Sequence, residues 1–217
     1  MHIPKGIILI DKPTGITSFG VVRVLRKRLG VRKMGHAGTL DPLATGLLII
    51  GIDGATKLLK DFLHLKKEYE TEIILGVQTA TGDREGKVIA TARARGISEG
   101  YLREVVEGMV GTWHLSVPAY SAVKVGGRRL YESARRGDTV VSPVKPMTVL
   151  RAEYKRMREE GDSVVLSATL EVSSGTYIRS LAEEVGRRLG IPASVYSLRR
   201  TKVGEFSISD AEPLGNE

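Results

Sequence analysis

The hydrophobic pattern near the N-terminus predicts a buried strand followed by a helix. Residues 7 to 10 form a continuous apolar run of strand length, which Asp11 ends at once. Thr17 or Ser18 can then cap a helix that stops at Gly30. The apolar residues of this helix recur at helical spacing and are Val21, Val22, Leu25 and Leu29.

Alternating patterns predict strands in the middle of the chain. Residues 68 to 75 alternate between glutamates and less polar side chains, as in a strand with one buried face. Residues 150 to 154 and 164 to 172 alternate in the same way. The polar turn at residues 160 to 162 lies between them and predicts a hairpin, whereas residues 81 to 86 read as a loop or turn.

Two further helices follow from apolar residues at helical spacing. One runs from Ser98 to Met109 and ends at Gly111, and the other spans about Thr176 to Leu189. Strands and helices succeed each other without a regular βαβ rhythm. The pattern therefore predicts one α+β domain with a mainly antiparallel sheet flanked by helices, and a fraying tail over residues 210–217.

Composition restricts the chemistry. The chain of 217 residues contains no cysteine, which excludes disulfides, thiolate metal sites and a cysteine nucleophile. Its four histidines lack close metal-ligand spacing, so no metal site is predicted. No apolar stretch reaches membrane-spanning length, and no signal peptide is visible, so we expect a cytoplasmic protein without membrane contact.

The basic residues are clustered. The net charge is +8, and residues 1 to 60 contain ten lysines and arginines but only three acidic residues, Asp11, Asp41 and Asp53. Further clusters lie at residues 124–136, including Arg135, and at residues 199–202. This distribution favours a nucleic acid as partner over a diffuse, solvated basic surface.

The segment Gly35–Gly46 (GHAGTLDPLATG) presents a single carboxylate, Asp41, between glycines and an apolar run. Gly35 and Gly38 permit backbone angles that other residues avoid, and Pro42 restricts Asp41 to extended geometry. A carboxylate on such a rigid loop can serve as a nucleophile or general base. Asp followed by Pro is also a common helix start, so the spacing alone favours a helix cap.

Three other segments contain polar residues, and each segment has both a structural and a functional interpretation. Lys12–Ser18 (KPTGITS) joins a strand to a helix and alone reads as a turn with a cap. In Gly175–Leu181 (GTYIRSL), Arg179 opposes the dipole of the helix that it opens, which suggests a carboxylate or phosphate partner, although a surface arginine is as good a reading. Val117–Arg129 interleaves Tyr120 with basic residues around a Gly-Gly turn; it could follow a nucleic-acid backbone or form a plain hairpin.

Together these segments resemble the TruB-type tRNA pseudouridine synthases, the enzymes that isomerise the T-loop uridine of tRNA (position 55). The resemblance covers nearly the whole length of the chain. The matching segments are Lys12–Pro13, Gly35–Gly46, Lys67–Tyr69, Thr81–Asp83, Pro118–Lys124, Gly175–Leu181 and Ser197–Thr201.

The resemblance implies a pseudouridine synthase fold and a role for individual residues. Asp41 matches the catalytic aspartate, and Arg179 matches the arginine that pairs with it. Tyr69 matches the tyrosine that stacks on the flipped uracil, near the carbon that loses its proton. Substrate or RNA contacts are implied for His36, which enters the T loop, for the pocket-lining Tyr177 and Leu198, for Lys12 of a supporting motif, and for Lys124.

The resemblance also implies partners and limits. We expect the T-arm stem-loop of tRNA as substrate, no cofactor or metal, no obligatory protein partner, and a monomer. Family members usually carry a further C-terminal RNA-binding domain of the PUA type; a catalytic domain over residues 1–209 leaves no room for it. Two alternatives stay open: a guide-RNA-dependent synthase of the dyskerin type, and an RNA-binding or RNA-folding module in which Asp41 only caps a helix.

Overall fold

A computed structural model describes residues 3–136 and 141–215, with the backbone alone for Arg135. The side chain of Arg135 and residues 216–217 of the predicted tail therefore lie outside the described residues. The strands are β1 (Ile7–Lys12), β2 (Met34–Ala37), β3 (Thr45–Ile52), β4 (Lys67–Leu75), β5 (Val77–Thr79), β6 (Val88–Thr91), β7 (Gly111–Ser116), β8 (Lys124–Val125), β9 (Arg128–Arg129), β10 (Val144–Glu160), β11 (Ser163–Val172), β12 (Ala193–Val203), β13 (Phe206–Ser207) and β14 (Glu212–Pro213).

Five α-helices and two short 3-10 helices complete the described part of the chain. The α-helices are α1 (Ser18–Leu29), α2 (Leu59–Leu63), α3 (Glu99–Glu107), α4 (Leu130–Arg136) and α5 (Ile178–Leu189), and the 3-10 helices are Asp53–Leu58 and Ile208–Asp210. Thr17 caps α1 through a bond from the Gly20 amide, and Gly30 ends that helix in the left-handed conformation. Within the described residues, no helix is both long and apolar enough to cross a membrane.

The chain forms two compact units, where the sequence predicts one domain. Unit 1 comprises Met1–Glu70 and Leu198–Glu217, and unit 2 comprises Thr71–Ser197. The chain passes between the units inside β4 and inside β12, so no Gly- or Pro-rich linker marks the division. The prediction of a catalytic domain that ends at residue 209 stays a prediction.

In unit 1, a sheet with the strand order β14-β1-β3-β12-β4 is buried on both faces. On one face, Ile7 and Leu9 of β1 pack with Leu47 and Ile49 of β3; on the other, Ile10 packs with the apolar side of α1. Burial on both faces explains why β1 and β3 read as continuous apolar runs. β1 and β3 are antiparallel, while β12 runs parallel to β3.

In unit 2, the strand order is β12-β4-β11-β10-β7, and β10 pairs antiparallel with both of its neighbours. Helices α3 and α5 cover one face, where Val106 and Leu181 line a small cavity together with Ile73 and Leu170 of the sheet. Two small hairpins, β5–β6 and β8–β9, form separate ladders. The α+β class and the mainly antiparallel sheet are thereby confirmed.

Several details of the sequence prediction are wrong. Leu29 is exposed because it occupies the last residue of α1, beyond the packed turns. Leu150 is exposed because β10 shifts register between Val149 and Arg151. Helix α3 ends at Glu107, with Gly108 rather than Gly111 as its cap.

The predicted fraying tail is wrong as far as Leu214. Glu212–Pro213 form β14, which pairs in parallel with Ile10 and Asp11 of β1. Leu214 is buried in the α1-facing core. Arg28 holds the end of this segment by donating to the Leu214 carbonyl. A single apolar residue and a main-chain ladder therefore order a segment that the sequence pattern does not distinguish from a loose end.

Candidate active site

Asp41 lies in an irregular loop, and no helix follows it. Residues 41–44 lead directly into β3 at Thr45, and the Ala44 amide donates to the Asp41 carbonyl at 3.1 Å in a tight turn. The helix-cap reading of Asp41 is therefore wrong. Asp41 itself is partly exposed.

Lys12 anchors the residue that follows Asp41. Its side chain is fully buried, and Nζ donates to the carbonyl oxygens of Pro13 (2.9 Å), Ile16 (2.7 Å) and Pro42 (3.3 Å). The Gly15 amide donates to the same Pro42 carbonyl at 2.9 Å. A buried ammonium is tolerated where its protons are satisfied by oxygen acceptors. The segment with the sequence KPTGITS thus braces the loop that carries Asp41.

Ser18 fixes the loop on the other side of Asp41. Its Oγ donates to the Leu40 carbonyl at 3.1 Å and accepts from the Leu40 amide at 2.8 Å. Thr17 caps the helix, so Ser18 is available for this role. Both residues adjacent to Asp41 in sequence are therefore held by side chains of the KPTGITS segment or of the helix it opens. Such bracing fixes the direction in which the carboxylate leaves the backbone.

His36 lies on β2, which pairs antiparallel with β3, and its imidazole is half-buried. Burial, and secondarily the charge of Arg200, lower the pKa of His36 below 6.5. Its Nδ1 is buried and has no hydrogen-bond partner among the described residues. The imidazole is accordingly neutral at neutral pH.

Tyr69 and Leu198 lie on neighbouring strands of unit 1, on β4 and β12. Tyr69 is 9% exposed, and Leu198 is half-buried. In the same stretch of β4, Glu68 is buried and accepts a hydrogen bond from Thr201 Oγ1 at 2.9 Å. The alternation of residues 68 to 75 predicts Glu68 on an exposed face, but Thr201 and Lys202 of β12 satisfy its carboxylate.

Lys67 begins β4 as a buried lysine. It is 8% exposed, and Nζ donates to the carbonyls of Leu63 (2.7 Å) and Leu65 (2.6 Å). Burial, with a smaller contribution from the charge of Arg200, lowers the pKa of Lys67 to about 8.

The lowered pKa of Lys67 should be visible in how the free energy of unfolding changes with pH. The unfolded chain keeps the proton up to the ordinary pKa of 10.5, whereas the folded protein releases it near pH 8. Stability therefore rises with pH between these two values, by about 3 kcal/mol relative to Lys67→Met. Thermal and urea unfolding of both proteins across this range measures the difference; parallel pH curves would contradict it.

In unit 2, the guanidinium of Arg179 is built into the start of α5. It is 5% exposed and donates through Nη1 to the Thr81 carbonyl (2.8 Å) and through Nη2 to the Tyr120 carbonyl (3.0 Å). Asp83 lies 4.0 Å from Nη1 and accepts from Thr81 Oγ1 at 2.7 Å. Three segments that are distant in sequence thus converge on Arg179. The surface-arginine reading is wrong.

Tyr177 and Lys124 take different positions in unit 2. Tyr177 is the N-cap residue of α5 and packs against the apolar cluster of Val117, Leu130 and Met147. Lys124 is exposed and pairs with Arg129 in the β8–β9 hairpin around the Gly-Gly turn. The hairpin reading of this segment is therefore correct as a description of its backbone, and it leaves Lys124 open to a partner.

Two residues of the arrangement have no role in the sequence prediction. Asp83 belongs to the TGD segment, which reads as a turn; its burial and its distance from Arg179 appear only in the fold. Arg200 counts as one of a basic cluster, but its side chain is 1% exposed. Arg200 stands between Arg199 and Thr201 in a polar stretch, so the local sequence carries no signal of its burial. Within residues 3–136 and 141–215, no three acidic or histidine side chains group as metal ligands do.

Solved structures share this fold over nearly the whole chain. An H/ACA RNP bound to a substrate RNA containing 2′-deoxyuridine matches with a TM-score of 0.69 and 26% identity, over 96% of this chain and 51% of the solved one. A Cbf5–Nop10–Gar1 complex matches with a TM-score of 0.69 and 30% identity, over 93% and 50%. The chain thus spans about half the length of these solved chains. Its fold is the pseudouridine synthase fold.

Sequence relatives define the family more closely. Residues 26–178 match the TruB family pseudouridylate synthase (N terminal domain). The tRNA pseudouridine synthase B of Corynebacterium efficiens is 41% identical over 98% of this chain and 71% of its own length. That of Mycobacterium sp. strain KMS is 44% identical over 96% and 70%. The chain belongs to the TruB family of pseudouridylate synthases and is an enzyme of that class.

Proposed function

We propose that this enzyme isomerises uridine to pseudouridine in tRNA, at the T-loop position 55 that the resemblance implies. The relatives at 41–44% identity are tRNA pseudouridine synthases, which supports tRNA as the substrate. The observation that carries the proposal is the loop of Asp41, a partly exposed residue whose neighbours in sequence are braced by Lys12 and Ser18. The net charge of +8 suits a polyanionic substrate.

The reaction needs a carboxylate and a pocket for an extruded base. The N1–C1′ bond of the uridine breaks, the uracil turns, and a C5–C1′ bond forms; C5 loses its proton and N1 gains one. The step is a balanced isomerisation with no net oxidation. A uridine within a folded loop must leave its stack first, and an aromatic platform offsets the lost stacking.

The proposed catalytic roles follow the resemblance residue by residue. Asp41 is the carboxylate on which bond cleavage depends. Tyr69, on a strand of the same unit, is the platform for the uracil and lies near the carbon that loses its proton. Arg179 is the arginine that keeps the catalytic carboxylate ionised, since a nearby guanidinium favours the charged form of an acid. The buried, fully oriented guanidinium of Arg179 supports a fixed role of this kind.

The proposed RNA contacts are more peripheral. His36 enters the T loop as a neutral imidazole, which can exchange hydrogen bonds with bases without an ion-pair requirement. Tyr177 and Leu198 line the pocket for the flipped base. Lys124 contacts the RNA backbone from its exposed hairpin. Lys12, whose side chain is fully buried, supports the site through the Asp41 loop.

The direct test is incubation of the protein with an unmodified tRNA transcript, followed by mapping of pseudouridine. We expect one modified position, in the T loop, and none in a transcript whose T-loop target uridine is replaced by cytidine. Absence of product from the wild-type protein would refute the proposal. Pseudouridine in both transcripts would retain the enzyme class and refute the T-loop assignment.

A guide-RNA-dependent reaction is the second candidate, because the structural matches include an H/ACA RNP and a Cbf5–Nop10–Gar1 complex. The same incubation separates the two candidates, since it contains no guide RNA and no second protein. Modification of the bare transcript refutes guide dependence. Modification that appears only after a guide RNA and partner proteins are added supports it.

A further inference from the structure

Arg200 is an unusually placed arginine. Its side chain is 1% exposed, and its guanidinium donates through Nε to the Leu47 carbonyl (2.8 Å) and through Nη2 to the Gly38 carbonyl (2.9 Å). Among the described residues it has no carboxylate partner, although a buried charge is normally paired. It donates its hydrogen bonds to main-chain oxygens alone, so this side chain stabilises the backbone conformation of the segments that it contacts.

The two carbonyls lie on either side of Asp41. Gly38 precedes Asp41 by three residues, and Leu47 follows it by six. One planar guanidinium therefore joins the entrance and the exit of the catalytic loop. A planar guanidinium does this with two different nitrogen atoms in fixed directions, whereas a lysine ammonium donates from a single nitrogen.

The backbone of Arg200 takes part in the same junction. β12 runs parallel to β3 with Arg200 opposite Gly46. Gly46 has φ of +102°, and a Cβ on it would overlap the Arg200 carbonyl oxygen. Gly38 has φ of +73°, and a Cβ there would lie 3.2 Å from Arg200 Nη1. Arg200 therefore leaves little room for a side chain at either position of the GHAGTLDPLATG segment. Its main chain fills the space beside Gly46, and its guanidinium fills the space beside Gly38.

We propose that Arg200 is a positioning residue for Asp41, which holds both ends of the loop at residues 38–47 and so fixes the direction of the carboxylate. Its importance for the reaction rests on the proposed function. Its effect on the loop does not, because the hydrogen bonds to Gly38 and Leu47 exist in the free protein. Arg200 complements Lys12 and Ser18, which hold the residues next to Asp41 in sequence.

The buried charge of Arg200 also changes the pKa values of neighbouring residues. The charge of Arg200 contributes, after burial, to the lowered pKa of both His36 and Lys67. Removal of the charge should raise the pKa of His36, and this change is visible in the NMR titration of the imidazole. The titration reports the charge itself, so it separates Arg200→Met, which lacks the charge, from Arg200→Lys, which keeps it.

The test compares Arg200→Lys and Arg200→Met with Val203→Ala. Val203 lies on the same strand, is 1% exposed and belongs to the apolar core, so its truncation lowers stability without removing a hydrogen bond to the loop. We expect Arg200→Lys to lower kcat about 10²-fold with little change in KM, because a misplacement of about 1 Å costs that much. Amide hydrogen exchange of residues 38–47 should accelerate in both Arg200 variants, and only Arg200→Met should raise the pKa of His36.

The outcomes separate this inference from the proposed function. Arg200 variants with wild-type kcat, or with a loss equal to that of Val203→Ala at matched melting temperature, would overturn the positioning role. If Arg200→Lys does not fold, Gly38→Ala decides, because it disturbs the same contact from the loop: a comparable loss of kcat supports the role, and wild-type kcat refutes it. An inactive wild-type protein contradicts the proposed function, while hydrogen exchange still tests the loop.

Discussion

Replacing Asp41 with asparagine is expected to lower kcat for pseudouridine formation by about 10⁴-fold or more, as removal of a nucleophile does. Asparagine keeps the size and polarity of the side chain but has neither its charge nor its nucleophilicity. Single-turnover assays on the tRNA transcript measure the loss. Binding of the transcript should change little, because one carboxylate contributes little to affinity for a polyanion.

The stability of this variant distinguishes catalysis from capping. Asp41 stands in a turn before β3 and caps no helix, so no helix-cap contribution is lost and kcat should fall far more than the free energy of unfolding does. Asp53→Asn is the matched control: Asp53 is exposed in the same unit at φ of +48°, which asparagine adopts readily. Wild-type activity in Asp41→Asn, or a loss of stability in place of activity, contradicts the assignment.

The Arg179→Lys variant is expected to lose about 10² to 10³-fold in kcat, the scale on which removal of one oriented electrostatic group acts. Lysine preserves the charge but cannot donate to the Thr81 and Tyr120 carbonyls at once in the fork geometry of arginine. One or both of these partly buried carbonyls then lose their charged donor, which costs about 1 to 3 kcal/mol of stability. Urea unfolding and kcat are to be measured on the same preparation.

Arg188→Lys provides the control for this variant. Arg188 lies on the same helix and also donates to two main-chain carbonyls, those of Val105 and Gly108. Its replacement should reduce stability and leave kcat intact. If both variants lose activity in proportion to stability, Arg179 acts through the fold alone and its proposed role in the reaction is refuted.

The fold class and most element positions follow from the sequence because they depend on short-range patterns. The antiparallel hairpin of β10 and β11, the strand β4 and the helices α1 and α5 lie where periodicity predicts them. Capping chemistry places the boundaries of α1 at Thr17 and Gly30. The errors arise where tertiary packing decides: a bulge exposes Leu150, and the α1-facing core buries Leu214.

In the candidate site, too, the sequence predicts what depends on local motifs and misses what depends on tertiary packing. Motifs in one order along the chain identify Asp41, Tyr69 and Arg179 as candidates, and their roles stay predictions that the variants above test. The surroundings of these residues are not readable from the sequence. Buried lysines and arginines have no local pattern, so Lys67 and Arg200 look like surface charges until the fold shows which carbonyls they contact.

The sequence by itself determined the family, the α+β class and the residues that carry the proposed chemistry, because these depend on residue types and their order along the chain. Only the tertiary structure decided whether Asp41 caps a helix or stands on a loop, since Asp-Pro is compatible with both. It did so through long-range hydrogen bonds: Lys12, Ser18 and Arg200 hold the loop from segments up to about 160 residues away. Which distant donor satisfies a given main-chain oxygen is a property of the folded chain.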